Sequence, residues 1–208
     1  GNSLMSLKGI IGSLAGLVLV IILFYSFSGE EDVAGYVSKI RDERDKKDQF
    51  MRSEDSPLGA ARANFQGLKY FEPDIRYRVD ADLEPIQKKN VVVLPTSTGE
   101  ENSYLEYAWA SFTWEGKQQR LLLLEIMAAG PNRGKLFLAF ADETSARETY
   151  GAGRYIDVNK TPGASTITLD FNLAYNPYCA YSDNFSCPFP PRENVLTFAV
   201  NAGEKNYH

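Results

Sequence analysis

A mainly β fold is predicted for this chain: an antiparallel β-sandwich or partly open barrel of about eight strands, preceded by a transmembrane helix and a charged helical stalk. Three observations predict it. Apolar residues recur at every second position in short runs between residues 76 and 202, bounded by Gly, Pro, Asn and Asp. Glu115-Gly116 stands between two long runs of strand-forming residues, the strongest hairpin signal in the chain. Residues 9–27 carry no charge.

The apolar segment GIIGSLAGLVLVIILFYSF, residues 9–27, spans about 28 Å as a helix, close to the hydrocarbon thickness of a bilayer. It ends in Phe24, Tyr25 and Phe27 rather than in small residues, so it is expected to be an uncleaved anchor and not a signal peptide. Lys8 precedes it, which puts residues 1–8 as a stub in the cytoplasm and the remainder outside. Gly12 and Gly16 have the spacing that lets membrane helices pack closely, although glycine is common in such helices anyway. Residues 28–56 follow as a helical stalk. Val33, Tyr36, Val37 and Ile40 have helical spacing and Phe50 with Met51 would continue the stripe, while RDERDKKD between them is charged on every side and reads as a solvated spacer ended by Pro57.

Residues 57–208 form the β domain. RYRVDADL alternates with Tyr77, Val79, Ala81 and Leu83 on one face. NVVVLP is a short strand stopped by Pro95. YLEYAWASFTW and KQQRLLLLEIM make the hairpin, then come KLFLAF, RYIDV and TITLDF, the last with Ile167, Leu169 and Phe171 on one side. NVLTFAVNA closes the series with Leu196, Phe198 and Val200 facing in. One short helix is expected at DETSARETYG, where Ser145 and Glu148 have capping-box spacing and Gly151 could end it.

Composition narrows function. Lys and Arg number 22 against 27 Asp and Glu, with no strongly basic window, so nucleic acid is not an expected partner. The one histidine, His208, is the last residue. Imidazole-dependent triads and ordinary zinc sites therefore have no internal histidine to use. No cofactor and no metal site are expected.

The runs KDQFM, SPL, F-x-GLKYF-x-PD-x-x-YRVDA, LFLAFADETSARETYGAGRYID, LDFNLAYNPYCAY and CPFPPRENVLTFAVNAGE resemble the bacterial domain-of-unknown-function 1684 family, over residues 47–204. The resemblance implies a bacterial protein and a single domain, and it implies no activity. The family pattern often has Pro and Arg near the positions of Ala139 and Ala141, so any polar site there is expected to be incomplete in this chain.

Candidate ligand contacts are Tyr150, Arg154, Asn172, Tyr175 and Asn176. Gly151 and Gly153 would let backbone approach a ligand, and Arg154 could bind a carboxylate or phosphate with two parallel hydrogen bonds. The competing reading is a tight turn, with Arg154 paired to Asp142, Asp157 or Asp170 and the asparagines shaping turns. Cys179 and Cys187 lack redox-motif spacing and histidine co-ligands. A disulfide is expected, ahead of free thiols and metal. The function expected is a non-enzymatic binding or assembly subunit of a membrane complex, partnered by the bilayer and by other subunits. The alternative is a small-ligand-binding protein or histidine-independent enzyme with a pocket around Arg154.

Overall fold

The computed structural model describes the backbone of residues 7–208 and the side chains of residues 16–19 and 32–208. One helix, α1 (Leu7–Arg52), precedes eight strands: β1 (Arg78–Pro85), β2 (Val91–Pro95), β3 (Glu101–Trp114), β4 (Lys117–Ile126), β5 (Leu136–Phe137), β6 (Ala139–Phe140), β7 (Arg154–Tyr155) and β8 (Thr166–Asp170). Among the described residues no helix is long and apolar enough to cross a membrane. Most of the predicted anchor at 9–27, including Gly12, lies outside the described side chains. At Gly16 an added Cβ would meet nothing within 4 Å.

Six strands form one antiparallel sheet in the order β5-β4-β3-β1-β8, with β2 also paired to β3. β1 and β2 run one after the other along the same edge of β3, pairing Pro85 with Ala108 and Val91 with Leu105. A register shift between Glu106 and Ala108 marks where the edge passes from one to the other. β6 and β7 make a separate two-stranded ribbon. The sheet is not closed into a barrel.

The β3–β4 hairpin is the predicted one. Glu115 and Gly116 both have positive φ, 46° and 77°, the handedness that matches the twist of the flanking strands. In β4 the run Leu121–Leu124 is buried on both faces of the sheet. Leu121 and Leu123 join Ala81, Phe112, Leu169 and Phe171 in the main core, covered by Leu138, Phe140, Leu196 and Val200. Leu122 and Leu124 pack with Leu94 and Tyr104 on the other side.

Three expectations are corrected. KLFLAF is divided between β5 and β6, which belong to different sheets. DETSARETYG forms turns and not a helix: the Asp142 carboxylate accepts Thr144 N–H at 2.8 Å, and Ser145 Oγ accepts Asp142 N–H at 3.1 Å. These local bonds compete with helical ones, and Ala146 at φ 62° breaks the path. NVLTFAVNA buries Leu196 and Val200 as predicted but forms only an isolated bridge to Ala141, and side chains take the backbone groups further on: Val200 N–H donates to Asp142 at 3.1 Å and Val200 C=O accepts from Arg154 at 3.0 Å.

The apolar stripe of α1 packs on the domain, and the run RDERDKKD is not solvated on every side. Ile40 and Met51 are buried, and Met51 packs with Leu58, Phe65 and Tyr181. Tyr36 donates to Asp170 at 2.9 Å, Arg44 to Phe71 C=O at 2.8 Å, and Lys47 to Glu204 at 2.9 Å. The helix ends at Arg52, ahead of Pro57.

Cys179 and Cys187 form the expected disulfide. The loop it closes lies on the end of β2: Ser97 N–H donates to Cys187 C=O and Phe189 N–H to Pro95 C=O, each at 3.0 Å. Ser97 Oγ also accepts Cys187 N–H at 3.1 Å. Removing the bond through Cys179→Ser with Cys187→Ser is expected to cost about 2 to 3 kcal/mol in the chain-entropy account. Urea midpoints of the two forms measure this, and a thiol count on the denatured, unreduced chain should read zero.

Candidate functional site

Two buried charged groups and one groove organise the polar residues of the domain. The first group is Arg154, at the start of β7 and only 1% exposed. Its guanidinium meets Asp142 at 3.0 Å and donates to the carbonyls of Val200 at 3.0 Å and Glu204 at 3.2 Å, and to that of Ala202. Burial draws its pKa below the ordinary arginine value, and Asp142 pulls the other way. Of the three partners expected from sequence, Asp142 is the one present. The arrangement can hold the segment 200–204 against the ribbon; no side of the guanidinium faces solvent.

Gly153 makes that placement possible. Its φ is 87°, and a Cβ there would stand 2.5 Å from Phe140 O and 2.7 Å from Pro190 Cγ. Gly153→Ala is expected to lose about 2 to 3 kcal/mol of stability. Gly151→Ala, where the Cβ would meet Ala146 Cβ at 3.3 Å and φ is not positive, should lose less than about 1 kcal/mol. Thermal denaturation of the two variants side by side checks the difference.

The second group is Glu204, fully buried. Its carboxylate accepts from Lys47 Nζ at 2.9 Å, Asn176 N–H at 3.2 Å, Asn176 Nδ2 at 3.1 Å and the Tyr181 hydroxyl. Four donors around one carboxylate satisfy a charge that burial would otherwise make costly. The Tyr181 phenol is pushed well above its ordinary pKa, first by burial and then by the Glu204 charge. Asn176 also donates to Lys205 C=O at 2.9 Å, while its own Oδ1 finds no partner among the described residues.

The groove lies between α1 and the chain around residues 172–178, with a volume of about 490 Å³. Glu43, Arg44, Lys47 and Phe50 line the helix side; Tyr70, Tyr175 and Tyr178 face them. Lys47 Nζ stands 4.4 Å above the Tyr175 ring, and Arg44 stacks on Tyr70 at 4.4 Å. The Tyr175 hydroxyl donates to Asp157 at 2.7 Å, and burial first, then Asp157, raises its pKa. Tyr70 is raised by burial and next by Glu204.

The structure thus separates the five residues expected to share a pocket. Asn172 and Tyr175 line the groove. The Asn172 amide is occupied, accepting Asp74 N–H at 2.9 Å and donating to Asp74 C=O and Tyr36 OH, both at 2.8 Å. Asn176 lies behind the groove on Glu204, and Arg154 reaches Glu204 only through its backbone carbonyl. Tyr150 is apart from both; burial and then Asp183 raise its pKa. Sequence reasoning missed Arg44, Lys47, Tyr70 and Glu204. The first two sit in a charged run that resembles any solvated helix, and the helical spacing of Ile40, Lys47 and Met51 was the available signal. Ala139 is buried in β6, and Ala141 pairs with the backbone of Asn194 and Leu196. Among the described residues no three His, Cys, Asp or Glu side chains gather as metal ligands.

An open antiparallel sheet, clasped by the end of a long helix and tied by buried Arg and Glu centres, defines a mainly β domain built around polar cross-links as much as around its core. The chain belongs to the family described as "Protein of unknown function (DUF1684)", which matches residues 63–205. It is similar to an uncharacterized protein of Haloarcula marismortui whose structure was solved by solution NMR. The two are 40% identical over 84% of this chain and 96% of the other, with a TM-score of 0.64. No curated protein matches the chain.

Proposed function

We propose that this chain is a non-enzymatic binding or accessory subunit of a membrane assembly, anchored in a bacterial inner membrane by residues 9–27 with its β domain in the periplasm. The observation that carries this is the continuity of α1. The helix runs from Leu7 to Arg52 without interruption, and its second half is fixed to the domain at Tyr36, Ile40, Arg44, Lys47 and Met51. At 1.5 Å per residue, Tyr36 stands about 14 Å and Met51 about 36 Å beyond Phe27. Such a tether sets the height and rotation of the domain over the bilayer, which suits docking beside a neighbouring subunit. The Cys179–Cys187 bond fits an oxidising compartment.

Membrane fractionation with a carbonate wash tests the anchor. The full chain should stay in the pellet, and the chain lacking residues 9–27 should be soluble. A periplasm-dependent phosphatase fused after His208 should be active. A full chain released by carbonate, or an inactive fusion, would overturn the anchoring or its orientation. Native electrophoresis of a mild detergent extract tests the assembly role, which fails if the chain migrates only as a monomer.

A further inference from the structure

We propose that the groove between α1 and residues 172–178 binds a small, singly charged organic anion, a carboxylate on a flat apolar body. The groove volume, about 490 Å³, falls in the range of small-molecule sites. Its chemistry is set by what its lining leaves unused.

Arg44 donates through Nη1 to Phe71 C=O at 2.8 Å and through Nη2 to Asn172 C=O at 3.4 Å. Both acceptors are neutral. Among the described residues no carboxylate forms an ion pair with Arg44, so its charge is partly buried without a contacting counter-charge. Its Nε–H is buried with no acceptor, and the hydroxyl of Tyr70, the ring on which Arg44 stacks, is likewise buried with no partner. Two orphaned donors beside a positive charge call for an anionic acceptor and not for a cation. Lys47 adds to this: one proton of its ammonium faces Glu204 at 2.9 Å, and three are available in all.

Two carboxylates limit the charge the groove accepts. Glu43 is held by Lys46 at 2.6 Å and Asp157 by the Tyr175 hydroxyl at 2.7 Å, and both line the groove. They would repel a polyanion more than a monoanion. Phe50, Leu173 and Tyr178 supply apolar wall for the remainder of the ligand. Arg44 lies about 25 Å along the helix beyond Phe27, out of reach of lipid headgroups, so the ligand is a free solute. The groove would bind it whether or not residues 9–27 sit in a bilayer.

The test uses the full chain, isotope-labelled in a mild nonionic detergent and followed through its amide resonances. Benzoate is the probe, benzamide the neutral match and pyrophosphate the polyanion. Benzoate should shift the amides of Lys47, Tyr70 and Leu173 in a saturable way, with benzamide and pyrophosphate at least about tenfold weaker. Arg44→Gln should weaken benzoate about tenfold and leave benzamide unchanged. Lys46→Gln, at the exposed rim, should weaken benzoate by about twofold and cannot disturb the core. If Arg44→Gln does not fold, the three-probe comparison and Lys46→Gln still decide. Absence of saturation in the millimolar range, equal binding of benzoate and benzamide, or shifts centred elsewhere would overturn the proposal.

Discussion

Replacing Arg154 by Met should lower stability by about 3 to 5 kcal/mol, a large fraction of what a domain of this size has. The substitution keeps apolar bulk but leaves Asp142 as an unpaired buried charge. It also strips donors from the carbonyls of Val200, Ala202 and Glu204. With a urea dependence of about 2 kcal/mol per molar, the midpoint should fall by about 2 M. Arg154→Lys should lie between the two, since one ammonium cannot span Asp142 and three carbonyls in the planar arrangement of a guanidinium. Arg133→Met, at an exposed position, serves as the control and should change little. An Arg154→Met midpoint within about 0.5 M of the native chain would show that the centre holds nothing together.

The native chain should unfold cooperatively in alkali. Tyr70, Tyr155, Tyr175 and Tyr181 all have pKa values raised above the ordinary phenol, each chiefly by burial. In the unfolded chain each ionises near 10. Above that pH the unfolded state sheds phenolic protons while the folded state keeps them, so stability falls as pH rises; below pH 10 the contribution is complete. Each tyrosine removes about 1.4 kcal/mol per pH unit, and four together remove about 5 to 6. A domain stability of about 5 to 15 kcal/mol is then exhausted within about one to three units. Circular dichroism and tyrosinate absorbance should change together in one transition, shallower in Tyr181→Phe. A gradual tyrosinate titration with native dichroism retained would count against the burial of these phenols.

What the sequence could tell depended on whether a residue's role was local. Tyr77, Val79, Ala81 and Leu83 were assignable because a strand turns every second residue to one side, and the Glu115-Gly116 turn because its backbone demands those residue types. Cys179 and Cys187 were assignable because there are only two cysteines. The alternation in NVLTFAVNA reported correctly which residues face the core, but alternation reports facing and not pairing. Its partners are the backbone of Ala141 and the side chains of Asp142 and Arg154, which no period reveals. The charged helix was misjudged for a similar reason. Lys47 and Glu204 are 157 positions apart, and the helical spacing of Ile40, Lys47 and Met51 says which way Lys47 faces but not what it meets. Residues expected to form one site were therefore divided among a salt bridge, a carboxylate cluster and a groove.

The loop lying on β2 has a consequence for how copies of this protein behave toward one another. A bare sheet margin offers donors and acceptors in register to any passing extended chain, including an identical one. Here Pro95 C=O and Ser97 N–H are already taken by Phe189 and Cys187 of the same molecule. The disulfide keeps that occupant in place. Its reduction would therefore expose a template for intermolecular β-pairing before the fold as a whole gives way. On this account the oxidised bond guards solubility as well as shape, and a reducing environment favours self-association of otherwise folded chains.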